Sequence, residues 1–413
     1  MIRHCIIATG LAVLGAACTS IPAPNAFCES EAFLIDRQFE GGNFHACTVT
    51  SATRAEILIR PEDEPPINRS PWWAFRISSK SDQSVTVRLD FDHGYARYWP
   101  KLSRDGQTWT PAPPDSVQRF DDDASMEISL APEEGPVWVA AQELLTNPYY
   151  DEWLGELRDN EAVTLSVLGR SVMGRPLFVA ESAPKPEVVY LFGRQHPPEV
   201  SGALAMRAFV RTVLGDSALA RQFRDRYTVV IIPLINPDGV ALGHWRHNVN
   251  GVDLNRDWGP FVQPETQGAA ALIDAYDASG ARPVLMLDFH STWQSLFYTQ
   301  LPEESSWSID FATEWFRRFR ERRPDFVFKH DARPRSSQSN TKNFFFDRYR
   351  IPAFTYEIGD EEDRAVIEDT TPVFAEEMMR LLLEYPESEQ IVNRDNAAAA
   401  EEREPPLPLP VRR

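Results

Sequence analysis

The chain has 413 residues, more than one compact domain normally fills, so two or three domains are expected. Hydrophobic residues make up 43% and charged residues 25%, a balance that can bury a large core and excludes wholesale disorder. The formal charge of −19 has the wrong sign for gripping phosphate backbones or anionic lipid by charge alone, so no nucleic-acid partner is expected.

Residues 1–17 read as an export signal peptide: Arg3 precedes an apolar run from Ile6 to Ala17, small residues close it, and no acidic residue interrupts it. The run is too short to cross a bilayer as a helix. Its end, Leu14-Gly15-Ala16-Ala17-Cys18, resembles the lipobox of bacterial lipoproteins, which implies a lipidated Cys18, membrane attachment and a periplasmic location. Plain secretion is the alternative. With Cys5 in the leader and Cys18 lipidated, Cys28 and Cys47 remain, and in an oxidising compartment one bridge between them is favoured over two separate thiols.

Residues 18–145 carry short alternating signals. Val85, Val87, Leu89 and Phe91 are apolar while Thr86, Arg88 and Asp90 are polar, which is strand periodicity. Ile57-Leu58-Ile59, Trp72-Trp73-Ala74-Phe75 and Val137-Trp138-Val139 give further strands between Pro-, Asp- and Ser-rich turns. An antiparallel β-sandwich domain fits, its aromatics reading as core rather than as a carbohydrate platform.

Residues 150–385 change pattern. Apolar runs Val163–Leu168, Val188–Phe192, Thr228–Leu234, Val284–Phe289 and Phe354–Ile358 look like strands covered on both faces. They alternate with helix candidates at Glu199–Leu214, Pro264–Tyr276, Trp307–Arg322 and Pro372–Tyr385, an α/β domain on a mostly parallel or mixed sheet. The tail, residues 386–413, holds an alanine run, a charge cluster and a proline-rich end, and is predicted to be disordered.

In such sheets functional groups gather beyond the C-terminal ends of strands. The run ending at Phe192 leads to His196 and Glu199, three apart, and the run ending at Phe289 leads to His290. His-x-x-Glu alone is a common chance pattern that loop residues explain equally well. A His, Glu, His set at two strand ends could hold zinc with one position left for water. A third strand ends at Glu357, an acid in an apolar context suited to taking a proton from that water. Between them lie Asn236-Pro237-Asp238-Gly239, Arg246 and Asp253-Leu254-Asn255-Arg256. Two guanidinium groups and Asn255 near zinc would polarise a carbonyl and grip a carboxylate, and Asp253 could orient a ligating imidazole; ordinary surface charges and a plain turn are the alternatives.

Taken in order, His196-x-x-Glu199, Asn-Pro-Asp-Gly, Asp253-Leu254-Asn255-Arg256, His290-Ser291 and Thr355-Tyr356-Glu357 resemble the M14 zinc carboxypeptidases over residues 150–385. The preceding β-rich half, with Phe39-Glu40-Gly41-Gly42-Asn43 and Trp72-Trp73, is similar to the cytosolic carboxypeptidase subfamily, whose enzymes carry an N-terminal β-sandwich. The resemblance implies one zinc per chain on His196, Glu199 and His290, with Glu357 as general base and proton donor and Arg246 as oxyanion stabiliser. It further implies that Asn255 and Arg256 bind the free C-terminal carboxylate of a peptide substrate, making the enzyme an exopeptidase. Counting back from Glu357 puts Lys342 at the base of the side-chain pocket, which implies a preference for acidic C-terminal residues. Two departures from the pancreatic pattern stand out: Pro197-Pro198 replaces the Arg expected inside the first motif, and Ser336–Phe346 holds no Tyr to cap the substrate. Three other activities compete: a periplasmic amidase or carboxypeptidase acting on peptidoglycan stem peptides, an aspartoacylase-type deacylase, and an inactive peptide-binding lipoprotein.

Overall fold

The computed structural model describes residues 25–385, apart from 121, 132–133, 302–305 and 335 and the side chains of 306–309. The predicted leader, Cys18 and the predicted disordered tail lie outside the described residues.

The N-terminal domain is built from β1 (Phe27–Glu29), β2 (Phe33–Asp36), β3 (Ala46–Ser51), β4 (Arg54–Ile59), β5 (Ala74–Ser79) and β6 (Val85–Phe91). It continues through β7 (Lys101–Ser103), β8 (Thr110–Pro111), β9 (Val117–Phe120), β10 (Ser125–Leu130) and β11 (Pro136–Ala140). These form two sheets, ordered β1-β2-β5-β11-β7-β8 and β3-β4-β6-β10-β9. The alternation read in β6 is real burial, with Val85, Val87, Leu89 and Phe91 facing inward. Trp72 and Trp73 are buried as core. One pair departs from the antiparallel expectation: β4 and β6 run parallel, because β5 lies between them in sequence and crosses to the other sheet. Cys28 on β1 and Cys47 on β3 form a disulfide, Cα to Cα 5.6 Å, that ties the two sheets together.

The second domain opens with α1 (Asn147–Asp159), β12 (Val163–Arg170), β13 (Pro176–Ser182), β14 (Glu187–Gly193), α2 (Val200–Val213), α3 (Ala218–Arg226), β15 (Tyr227–Ile232) and α4 (Pro237–Leu242). It continues with α5 (Pro264–Ala278), β16 (Arg282–Thr292), β17 (Leu296–Thr299), α6 (Ser306–Arg322), β18 (Lys329–Ala332), α7 (Thr341–Tyr349), β19 (Ala353–Gly359) and α8 (Arg364–Glu384). One mixed sheet runs β12-β13-β15-β14-β16-β19-β17-β18. Its centre, β15, β14, β16 and β19, is parallel throughout, and β14 and β15 are buried at every residue, which explains their unbroken apolar sequences.

The expected elements need two corrections. β12 is an edge strand, largely exposed along its length, so it is not covered on both faces. α8 begins at Arg364 and carries Pro372 inside it, whereas the sequence suggested a start at that proline. The true start signal is Asp363, whose side chain accepts the amide of Ala365 at 2.8 Å. Asn-Pro-Asp-Gly is likewise more than a turn: Asn236 caps α4 by accepting from Gly239 N at 2.9 Å.

Candidate active site

His196 and Glu199 occupy the turn from β14 into α2, with Glu199 immediately before the helix. The turn is held from within by Arg194, buried at a left-handed φ of 52°, which donates from Nε and Nη2 to the Pro197 carbonyl at 3.0 and 2.8 Å. α2 then passes close over β16. A Cβ on Gly202 would stand 2.4 Å from the His290 carbonyl oxygen, so only glycine admits this approach.

The result is a convergence of donor atoms. Glu199 Oε1 lies 2.8 Å from His196 Nδ1, Glu199 Oε2 lies 2.7 Å from His290 Nδ1, and the two Nδ1 atoms are 3.2 Å apart. The outer ring nitrogens face carboxylates: His196 Nε2 is 3.0 Å from Asp253 Oδ1, and His290 Nε2 is 2.8 Å from Asp288 Oδ2. An ionised carboxylate only accepts, so each Nε2 carries a proton, and in the neutral ring each Nδ1 presents a lone pair. Two lone pairs and a carboxylate, all buried and aimed at one another, repel unless a cation sits among them. The demand for positive charge shows in His290 itself: burial alone would lower its pKa, yet Asp288 and Glu199 overcome that and raise it well above the ordinary range. Burial likewise opposes the charge on Glu199, and the two imidazoles outweigh it, holding the carboxyl well below its usual pKa. Two imidazoles, one carboxylate and carboxylate-backed rings are the donor set of a zinc site, and the residues present fit that metal.

Glu357 is the register partner of His290 across β16 and β19. Its Oε2 is buried without a hydrogen-bond partner, and burial, reinforced by Glu199 and Asp360 against the pull of His290 and Arg246, pushes its carboxyl up to about 8. A dication in the adjacent cage would pull it down again. Arg246 directs Nε to Asp253 Oδ2 at 2.8 Å and Nη1 toward Glu199 Oε1 at 3.8 Å. Asp253 therefore serves two groups, one oxygen for His196 and the other for Arg246.

Asn255 and Arg256 follow on a single 3-10 turn, Leu254–Arg256. The amide oxygen of Asn255 accepts from Thr341 N and Oγ1, both at 3.0 Å, while Nδ2 lies 3.2 Å from His290 Nε2. Arg256 is different. It donates to the Asn255 carbonyl at 2.6 Å and, among the described residues, faces no carboxylate within ion-pair distance. Burial lowers its pKa, and Asp253 offsets part of that effect. Lys342 opens α7 and is buried against the cleft, its Nζ 3.4 Å from the Thr299 carbonyl oxygen. His196, Glu199, Arg246, Asn255, Arg256, His290, Lys342 and Glu357 line one cleft of about 770 Å³.

Residues 150–370 match the family described as zinc carboxypeptidase, and residues 35–141 match the cytosolic carboxypeptidase N-terminal domain. The chain belongs to the M14 zinc carboxypeptidase family. Human cytosolic carboxypeptidase 6 is 26% identical over 288 residues, 61% of this chain and 56% of that one, so the match spans about half the length of that relative. A metallo-carboxypeptidase from Burkholderia cenocepacia superposes with a TM-score of 0.68 at 21% identity, covering 85% of this chain and 98% of that one. A Pseudomonas aeruginosa metallo-carboxypeptidase solved with (2-guanidinoethylmercapto)succinic acid gives 0.68 at 22%, covering 85% and 99%. These two likenesses are likenesses of fold.

Several contributors escaped the sequence reading. Asp288 backs His290, and Gln195 holds it from Nε2 to Oδ2 at 2.6 Å. Asp288 and His290 stand two apart on one strand and so share a face, a signal the sequence did carry. Tyr298, Arg333 and the exposed Trp293 line the cleft from β17 and the loops, and Arg69, Tyr95 and Arg97 enter it from the N-terminal domain. No sequence motif places those three beside the others, since they are brought there only by domain packing.

Metal analysis is expected to find one zinc per chain, lost in His196→Ala and in His290→Ala. Asp288→Ala keeps every ligand but removes the carboxylate behind His290, so zinc affinity should fall about 10- to 100-fold. Wild-type zinc retention in either histidine variant would contradict the site.

Proposed function

We propose that the protein hydrolyses the C-terminal peptide bond of peptides, with His196, Glu199 and His290 holding zinc. The observation that carries this reading is Arg256: a guanidinium exposed in the cleft without a carboxylate partner among the described residues, in the same cleft as the converging metal-ligand atoms. A guanidinium on the cleft wall with no carboxylate of its own fits a ligand that brings one. When bound, zinc polarises the scissile carbonyl and acidifies the attacking water. The rest falls to the chain. Arg256 grips the terminal carboxylate and thereby fixes which bond lies over the cage. Asn255, held by Thr341, forms the wall beside it. Glu357 accepts the proton of the attacking water and returns it to the leaving amine, a task suited to a half-buried acid whose free oxygen has no competing donor. Arg246, aimed by Asp253, donates to the oxyanion as it develops.

Two finer features belong to the same reading. Lys342 at the pocket base supports a preference for acidic C-terminal residues, since a basic residue there would set two cations face to face. The basic, apolar, small-residue order of residues 1–17 and the Cys28–Cys47 disulfide support export to a bacterial periplasm, with Cys18 lipidated and membrane-anchored.

Glu357→Gln should keep its zinc and lose on the order of 100-fold or more in turnover, because an amide cannot take the proton. Arg256→Ala should act mainly on KM, and a C-terminally amidated peptide should be a poor substrate for the wild type; equal cleavage of free and amidated peptides contradicts the exopeptidase reading.

Profiling a peptide library varied at the last residue should show Glu or Asp favoured over Leu, Phe, Lys and Arg, and Lys342→Ile should shift preference toward apolar ends. An unchanged profile in that variant removes Lys342 from the pocket.

Labelling cells with tritiated palmitate should mark the wild type and not Cys18→Ala. Label in both would place the lipid elsewhere, and label in neither would refute the anchor.

A further inference from the structure

Arg246 sits in the irregular stretch between α4 and the 3-10 turn that carries Arg256, where no helix or sheet ladder fixes the backbone. Asn236 holds the His247 carbonyl at 3.2 Å from the catalytic side, and the amides are held from the other domain. Glu62, in the loop after β4, accepts three consecutive backbone amides: Trp245 N on Oε2 at 2.7 Å, and Arg246 N and His247 N on Oε1 at 2.8 and 2.7 Å. Its neighbour Asp63 takes His247 Nδ1 at 2.6 Å. Trp245 is fully buried behind this contact, its indole donating to the Trp72 carbonyl at 3.1 Å, and a Cβ on Gly94 would stand 2.8 Å from its ring. The backbone of Arg246 is thus gripped from the sandwich side, while its guanidinium is aimed from the catalytic side by Asp253.

We propose that Glu62 is a positioning residue for Arg246, so that the N-terminal domain sets the turnover of the catalytic domain through one carboxylate. The kinetic part rests on the carboxypeptidase reading above. Charge-assisted bonds from three adjacent amides to one carboxylate are stronger than neutral ones and fix both ends of the residue they bracket. Arg246 must meet an oxyanion that exists only transiently, and an error of about 1 Å in a positioned donor costs on the order of 100-fold in rate. Glu62, Asp63 and His247 also lie close enough together to hold a cation. The contacts argue against that use, since both Glu62 oxygens already face N–H donors, whose positive ends would oppose a metal, and Asp63 is engaged by His247.

The test combines two readouts on the full-length protein. Amide hydrogen exchange at Trp245, Arg246 and His247 should quicken at least about 10-fold in Glu62→Gln and further in Glu62→Ala, with zinc content unchanged at the wild-type level. On a peptide with a free C-terminus, Glu62→Ala should lower kcat about 10- to 100-fold and leave KM within about 3-fold, with Glu62→Gln recovering part of the loss through its remaining oxygen. In an Arg246→Ala background, Glu62→Ala should cost less than about 2-fold more, because the group it positions is gone. Multiplying losses in the double variant, a change confined to KM, or a second bound metal that disappears with Glu62 would each overturn the proposal. If the wild type turns over no peptide, the carboxypeptidase reading fails and hydrogen exchange still judges the Glu62 cap, which unchanged protection would refute. If Glu62→Ala does not fold, the Gln variant carries the same comparisons.

Discussion

Parallel pairing of β14, β16 and β19 sets where every reactive group stands. Gly193, the last residue of β14, pairs with Phe289, and β16 and β19 run three residues further, so His290 and its partner Glu357 stand on the strands just where the chain leaving β14 turns through His196 and Glu199. Two imidazoles and two carboxylates are thereby buried at one end of an otherwise apolar sheet, an arrangement that is unfavourable in itself. It holds because each group is satisfied from behind. Asp288 and Asp253 take the outer ring nitrogens, Gln195 and Thr341 brace Asp288 and Asn255, and Gly202 lets α2 lie against β16 closely enough to keep Glu199 in reach of both rings. What stays unsatisfied is the inward side, and that is where the metal belongs.

The N-terminal sandwich braces the segments that carry two groups outside the metal cage, Arg246 and Glu357. On one flank, Gly41 N donates to the Ala241 carbonyl at 2.8 Å, Asn43 Nδ2 to the Gly243 carbonyl at 2.6 Å, and Glu62 grips the segment bearing Arg246. On the other, Arg97 donates to Asp360 at 2.8 Å and Lys101 pairs with Glu361 at 2.5 Å, just past the strand that carries Glu357. Asp360 is buried in this seam, and burial raises its carboxyl to about 6 even against Arg97. The Phe-Glu-Gly-Gly-Asn run and Trp72 therefore have a mechanical reason: they are the clamp.

Legibility in the sequence follows from range. The ligand set, Glu357 and the β14, β15 and β19 strands could be read because each rests on local order: an apolar run, a turn, a residue type just beyond it. The β-rich first half was legible by period alone. The parallel β4/β6 pair and the edge position of β12 were not, because strand order depends on packing between distant segments. The start of α8 is not legible at Pro372, which sits past the second turn of the helix, while Asp363, nine residues earlier, is the capping signal. Arg69, Tyr95, Arg97 and Glu62 had no local context that hinted at a catalytic cleft more than a hundred residues away in sequence.

The net charge of −19 sits oddly beside a cleft that carries Arg69, Arg246, Arg256, Arg333 and Lys342 on its walls. Distance resolves the conflict. At physiological ionic strength the Debye length is about 8 Å, so the acidic outer surface is largely screened before a ligand enters, whereas the cations on the cleft walls lie within that range of a bound ligand. Of the two carboxylates that line the same cleft, Glu199 is committed to the cage, and the positive side chains outnumber the one that remains, Glu357. Arg333 is also stacked on Tyr298, 4.1 Å from its ring centre, and paired with Asp331, so its charge is fixed at the rim rather than swinging in solvent. The overall acidity of the chain therefore says little about the cleft, whose walls carry positive charge where the proposed reaction would have a substrate place its carboxylate.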